Sequence, residues 1–245
     1  MDIFSKSGGY RKLDSFTLAT IIQLGTLRFC RKFLNRTNDP CGRQFDQMTQ
    51  AARSGRANII EGSERSATSK ETEMKLTDVA KASLGELRGD YEMWLLSLGQ
   101  PPWKRDSSEA QAVFDISLEQ TPLQNEHESA VHLLRETGKF SRWLDSEDSA
   151  TAANALLILI GRAINMLNNQ LKAQGEAFKK EGGFREKLHE VRVESRAVAA
   201  DAPNCPDCEA PMVKRKAGHG KYAGQDFWGC AKYREGCRGR RPCEG

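Results

Sequence analysis

Histidine is scarce in this chain, and compact catalytic signatures are missing. The four histidines stand at 127, 132, 189 and 219, with no spacing that pairs them with one another or with a carboxylate. There is no Gly-rich phosphate loop, no His-Glu-x-x-His helix and no serine elbow. Glu61, close to Arg65, is a single carboxylate, too little to hold a pair of metal ions. These absences predict a non-enzymatic protein with no catalytic residue. Long apolar runs are lacking too. The longest, ALLILI at 155–160, falls far short of the roughly 20 residues of a membrane helix. The opening stretch MDIFSKSGGYRKLDS has no apolar h-region and is not expected to act as a signal peptide. The expected location is cytoplasmic, where thiols stay reduced and paired cysteines serve metals more often than disulfides.

What the chain does have is an uneven charge. Its 245 residues carry a net +4, and all of that excess lies in residues 203–245, with nine Lys/Arg against five Asp/Glu. The remainder is neutral overall but polarised. Residues 10–65 hold ten basic and five acidic side chains, and residues 99–150 hold the reverse. Basic stretches of this kind either form solvated surface or attract phosphate backbones.

Most of the length reads as helix. LDSFTLATIIQLGTLRFCRKFLNR carries an apolar stripe (Phe16, Ala19, Ile22, Phe29, Phe33), with Asp14 or Ser15 available as cap. Asp39-Pro40 predicts the start of a second helix that runs to about Glu61. Its seam of Phe45, Met48, Ala52, Gly55 and Ile59 has the 3-4 spacing of a bundle, and Gly62 is placed to end it in the left-handed region. Thr68 with Glu71 fits a capping box for a third helix, whose stripe is Leu76, Ala80, Leu84, Leu87, Tyr91, Trp94 and Leu98. GQPPW stops it. Residues 103–147 predict two short helices broken at Thr121-Pro122, an acidic insertion expected to lie outside the bundle. The last long helix is apolar almost all round from Ala152 to Ile160, so it must be buried on several sides, within the bundle or against another subunit.

The tail contains Cys205-x2-Cys208, then Cys230 and, six residues on, Cys237. Two close pairs separated by a loop suit a tetrahedral zinc site, each pair forming a knuckle and the intervening GHGKYAGQDFWGC a hairpin. A unit this small has little core, so Zn2+ would supply most of its stability. Cys243 and His219 are further candidate ligands, while Cys30 and Cys41 stand in helical context as packing residues. Four thiolates around Zn2+ carry a net −2, which leaves the tail at about +2. Around them Lys214, Arg215, Lys216, Lys221, Lys232, Arg234, Arg238, Arg240 and Arg241 interleave with Tyr222, Phe227, Trp228 and Tyr233. Cations for phosphates beside aromatics for stacking suit single-stranded nucleic acid. One of Phe227 and Trp228 is expected in the ribbon's small core instead.

Two stretches resemble known families. CPDCEAPMVKRKAGHGKYAGQDFWGCAKYREGC is similar to the four-cysteine zinc ribbon appended to bacterial type I DNA topoisomerases. Met212, Arg215, Phe227 or Trp228, Gly229, Cys230 and Tyr233 match, while one residue is added before Cys237 and Arg234 replaces the usual proline. The resemblance spans about 40 residues and implies single-stranded DNA binding, without topoisomerase activity. SGRANIIEGSERS resembles the signature of the four-helix-bundle family encoded by intervening sequences in bacterial large-subunit ribosomal RNA genes. Asn58, Ile59, Glu61, Gly62 and Arg65 match at the second corner, as do Ala80, Ser83, Leu84 and Glu86 in VAKASLGEL. That family includes the accessory variability determinant of diversity-generating retroelements, a basic pentameric barrel that binds a reverse transcriptase and nucleic acid. At the corner itself, Asn58 can satisfy carbonyls at the end of the second helix and Glu61 can pair with Arg65 or Arg56. In the functional reading, Arg53, Arg56 and Arg65 form a basic rim that meets phosphates.

The expected architecture is all-α: an up-down four-helix bundle over 10–178 with an acidic helical insertion at about 100–148. A helical linker over 179–202 and a topoisomerase-like zinc ribbon over 203–245 follow. The expected function is non-enzymatic: an oligomeric accessory protein, a pentamer by family resemblance, that binds single-stranded DNA or RNA and a reverse transcriptase. The rival expectation is a protein–protein interaction scaffold with no direct nucleic-acid role.

Overall fold

The computed structural model describes residues 9–120, 125–181, 191–192, 202–219 and 223–243. The chain divides into two compact units, a helical one over Phe4–Glu181 and a second that comprises Met1–Ile3 and Gly182–Gly245. Most of the expected helical linker, like Thr121-Pro122, Lys221 and Tyr222, lies outside the described residues.

Four long helices make the helical unit: α1 (Asp14–Phe33), α2 (Arg43–Arg65), α3 (Lys70–Ser97) and α7 (Ser149–Glu181). Their main contacts run α1 to α2, α2 to α3, α3 to α7 and α7 back to α1, a closed four-helix bundle. The expected stripes face its axis, except that Leu98 caps the end of α3 and is exposed, with Leu95 buried one turn earlier. Phe16, Ala19, Ile22 and Phe29 of α1 are buried with Met48, Ala52 and Ile59 of α2 and Ala80, Leu84, Leu87 and Tyr91 of α3. Gly55 faces Leu84 so closely that a Cβ there would stand 2.8 Å from Leu84 Cδ2. The small residue lets α2 and α3 meet. In the centre, the Tyr91 hydroxyl donates to Thr26 Oγ1 at 3.0 Å, and the rings of Tyr91 and Trp94 meet Phe29 edge-on.

The helix ends differ from expectation in instructive ways. Neither Asp14 nor Ser15 caps α1: Leu13 holds that position, led in by a 3-10 turn over Tyr10–Lys12, and Ser15 is buried. Asp39 does cap α2, but from a distance. The helix starts at Arg43 after Gly42 turns the chain at φ +68°, and the Asp39 carboxylate reaches forward to the N–H groups of Gln44 and Phe45. Cys41 therefore sits in an exposed turn and not in a helix. Gly62 is no terminator. It is buried inside α2, where a Cβ would stand 3.4 Å from Glu73 O of α3, and the helix continues to Arg65. Ser69, not Thr68, caps α3 by accepting from Thr72 N at 3.1 Å; the Thr68 hydroxyl turns back to Arg65 O. At its far end, Gly99 (φ +69°) and a bond from Gln100 N to Leu95 O close α3 in a Schellman arrangement.

The acidic insertion folds as α4 (Ser108–Phe114), α5 (Glu126–Gly138) and α6 (Ser141–Leu144). It does not stand outside the bundle. Val113, Phe140 and Leu144 join the main core, α4 and α6 packing on α7 and α5 on α1. These helices expose most of their carboxylates, although Glu136 of α5 is buried beside Lys139 at 2.9 Å, and their apolar side chains help to enclose the bundle. By length and composition α7 is apolar enough to cross a membrane, and 56% of that apolar window is buried within the unit. Ala152, Ala153, Ala155, Leu156, Leu159 and Ile160 are all buried, as a helix at the centre of a bundle requires.

The second unit holds a three-stranded antiparallel sheet in the order β1 (Met212–Lys216), β2 (Asp226–Cys230), β3 (Arg240–Pro242). The hairpin of β1 and β2 is the expected one; β3 is an addition.

Truncating Leu84 to Ala is expected to cost the helical unit about 2–5 kcal/mol. Tyr91→Phe, which strands the buried Thr26 hydroxyl, is expected to cost roughly 1–3 kcal/mol. Chemical denaturation followed by far-UV circular dichroism measures both. No loss in either variant would contradict the packing described.

Candidate metal centre

The first knuckle comes from Cys205-Pro206-Asp207-Cys208. Its turn closes through Glu209 in the left-handed region (φ +59°), whose N–H donates to Cys205 O at 2.9 Å, while Cys205 N donates to Ala210 O. The second knuckle leaves the end of β2 at Cys230. A 3-10 turn over Ala231–Glu235 and Gly236 at φ +102° bring the chain back to Cys237. The residue added before Cys237 is absorbed in that turn. Met212 and Cys230 are partners in the β1–β2 register, which places the second knuckle at the sheet's end, over the first.

The four sulfurs converge, all within 4.8 Å of one another. Cys205 Sγ lies 3.7 Å from Cys237 Sγ, and Cys208 Sγ 3.4 Å from Cys230 Sγ. A tetrahedron with Zn–S bonds of about 2.3 Å has S···S edges of about 3.8 Å, so the donor set fits a four-thiolate ion. Cys243 and His219 do not belong to the group. Cys30 belongs to the helical unit and is buried in its core, where burial, aided by Asp90 and Asp39, pushes its thiol up to about 12.

Backbone donors surround the sulfurs. Lys232 N–H points at Cys230 Sγ from 3.3 Å. Burial opposes ionisation of Cys205, but the N–H groups of Asp207 and Cys208, together with hydrogen bonds from Cys237 and Cys230, bring that thiol down to about 7. Burial carries Cys230 the other way, to about 12. Four thiols this close cannot all ionise without a cation among them, so binding of a divalent ion must displace protons and weaken in acid. An ion held by all four sulfurs would be fully ligated by protein, with no coordination position left for a substrate.

One residue essential to this geometry escaped sequence reasoning. A Cβ on Gly239 would overlap Cys205 Sγ. Gly239 also accepts from Cys230 N at 3.0 Å, so it ties β3 to the centre. A lone glycine after the last cysteine carries no signal of that contact.

The sheet register divides the basic and aromatic residues between two faces. Trp228 pairs with Lys214 and Arg241 and packs with Met212 against the cysteines. It is the core member of the Phe227/Trp228 couple. Phe227 pairs with Arg215 on the opposite face, where the Arg240 guanidinium lies 5.7 Å from its ring centre. Tyr233, 39% exposed, has Arg238 at 4.4 Å and Arg215 at 5.5 Å from its ring. Arg240, one of the interleaved cations, stands on β3, a strand that nothing in the sequence announces. Lys216 and Lys232 are exposed, and Lys214 pairs with Asp226 at 3.4 Å.

The helical candidates do not assemble into a basic rim. Arg53 is exposed and Arg65 sits 3.9 Å from Glu61, but Arg56 turns inward. Its Nε donates to Thr20 Oγ1 at 3.0 Å and its guanidinium stacks over Phe16, so burial lowers its pKa. Asn58 bonds Ser54 O one turn back, since α2 does not end where its carbonyls would have needed capping. No family model, curated protein or solved structure matches the chain.

One divalent metal ion per chain, tested with zinc, is the expected stoichiometry, lost in Cys205→Ser/Cys208→Ser. Gly239→Ala is expected to weaken zinc binding by about 10–100-fold while leaving the helical unit's melting unchanged. Competition against a chromophoric chelator measures the affinity, and an unchanged affinity would show that Cys205 does not need the space.

Proposed function

We propose that this chain is a non-enzymatic nucleic-acid-binding accessory protein whose zinc-loaded ribbon grips single-stranded DNA or RNA. The observation that carries the reading is the face of the sheet turned away from the cysteines. There two aromatic rings, Phe227 and Tyr233, lie among Arg215, Arg238 and Arg240 with no carboxylate in ion-pairing reach of those arginines among the described residues. Stacking on such rings is worth about 1–3 kcal/mol per base, and the arginines supply the phosphate contacts. The resemblance of this segment to topoisomerase ribbons points the same way. Zinc is the proposed ion because the sulfur spacing and the all-thiolate ligand set suit it.

The helical unit acts in this proposal as an oligomeric carrier. The resemblance of its α2–α3 stretch to the ribosomal intervening-sequence bundle family supports that role, and with it a reverse transcriptase as partner and a pentameric assembly. The outer surface of α3 also exposes Val79, Met93 and Leu96. The same surface favours a second reading, a protein–protein scaffold with no nucleic-acid role. The two differ in salt dependence, since phosphate binding falls steeply as salt rises and apolar contacts do not.

Fluorescence anisotropy of the zinc-loaded protein against single-stranded and duplex oligomers at two salt concentrations tests the proposal. Salt-sensitive, single-strand-preferring binding is expected. Phe227→Ala and Tyr233→Ala should each weaken it about tenfold with zinc retained. Binding that is indifferent to these changes and to Cys205→Ser/Cys208→Ser would move the site off the ribbon, and no binding at all would leave the scaffold reading. For the assembly, Met93→Glu/Leu96→Glu is expected to reduce the mass seen by light scattering after size exclusion. An unchanged mass would remove that surface from the interface.

A further inference from the structure

The helical unit contains a cavity of about 530 Å³ between α3, α4 and α7, within the size range of small-molecule sites. Its floor is the outer side of α7, where Leu157, Ile158 and Ile164 surround Gly161. Nothing lies within 4 Å of where a Gly161 Cβ would stand. Gly161 therefore answers no close packing in the chain, and its lack of a side chain is what leaves the floor open. The facing wall is Trp103 and Phe114.

The walls are held in place. Asn154 Oδ1 accepts from Trp103 N at 2.7 Å, and its amide donates to Ala150 O. Arg162 spans from α7 to the end of α4, donating to Val113 O and Ile116 O, with its guanidinium 5.7 Å from the Phe114 ring centre. The cavity is thus preformed.

Its charge is one-sided. Arg88, Arg105 and Arg162 line it against a single acid, Glu92, which Arg88 already holds at 2.8 Å. Neither Arg105 nor Arg162 has a carboxylate within ion-pairing distance among the described residues. Burial weighs against Arg162's charge more than the fields of Asp14 and Asp115 support it. A half-buried guanidinium with carbonyl partners but no carboxylate in ion-pairing distance leaves room for an anion beside it.

We propose that this cavity binds a small organic anion with a flat apolar body, such as an aromatic carboxylate or phosphate ester. The body lies between the Trp103–Phe114 wall and the α7 floor, and the charged group meets Arg105 and Arg162. The site is contained in the helical unit and does not depend on the ribbon's role.

The test uses full-length zinc-loaded protein and anilinonaphthalene sulfonate, an aromatic anion that fluoresces when removed from water. One saturable site per chain is expected. Gly161→Leu fills the floor and should weaken binding at least about tenfold without lowering the melting temperature. Arg105→Ala, at an exposed side chain, should weaken it at least about threefold. Phenylnaphthylamine, the same body without the sulfonate, should bind at least about tenfold more weakly. Displacement by an aromatic carboxylate or by a nucleoside monophosphate would place the ligand in one branch of the class or the other. Binding that is unchanged in both variants, or equally tight for the neutral analogue, would overturn the proposal.

Discussion

The burial of α7 is the constraint on which the helical unit depends. A helix whose first half is apolar on nearly every side cannot rest against one neighbour. It draws α1 and α3 onto two sides, with α2 closing the ring between them. The sides that remain are covered by α4 and α6, so the acidic insertion is part of the enclosure. Where the covering stops, beyond Phe114, the floor of α7 lies open at Gly161. The cavity is the part of that apolar surface which the chain leaves unfilled.

In the ribbon, the corresponding constraint is the convergence of four sulfurs in a space 4.8 Å across. The core around them is Met212 with part of Trp228 and Ala210, far too little to fold a sheet by burial alone. Placing Trp228 against the metal centre has a consequence for the other face. Alternation along β2 forces Phe227 outward, into the company of Arg215 and Arg240. One aromatic packs against the cysteines, and its neighbour in sequence is turned to the opposite face.

Much of this was legible from local patterns. The apolar stripes of Phe16 to Phe29 and Ala80 to Tyr91 mark core faces because a helix repeats every 3.6 residues, and burial follows the repeat. The cysteine tetrad was legible because metal ligands recur at short, characteristic spacings. Helix ends were less so. Asp39 was recognisable as a cap, but its reach to Phe45 depends on the turn at Gly42. Gly62 had the residue type of a terminator, yet the approach of Glu73 O and Leu76 makes it a packing residue. Arg56 read as surface charge, although Thr20 and Phe16 on another helix hold it inside.

By itself, then, the sequence determined the four long helices, their buried faces and the four sulfur ligands. Each is written in the spacing of residues along one stretch of chain. Only the tertiary structure decided that Trp228 and not Phe227 faces the cysteines, that Gly239 makes room for Cys205, and that Arg105 and Arg162 border one cavity. Those facts depend on which atoms of distant segments meet, and no local periodicity encodes a meeting between β2 and β3 or between the 100–118 stretch and α7.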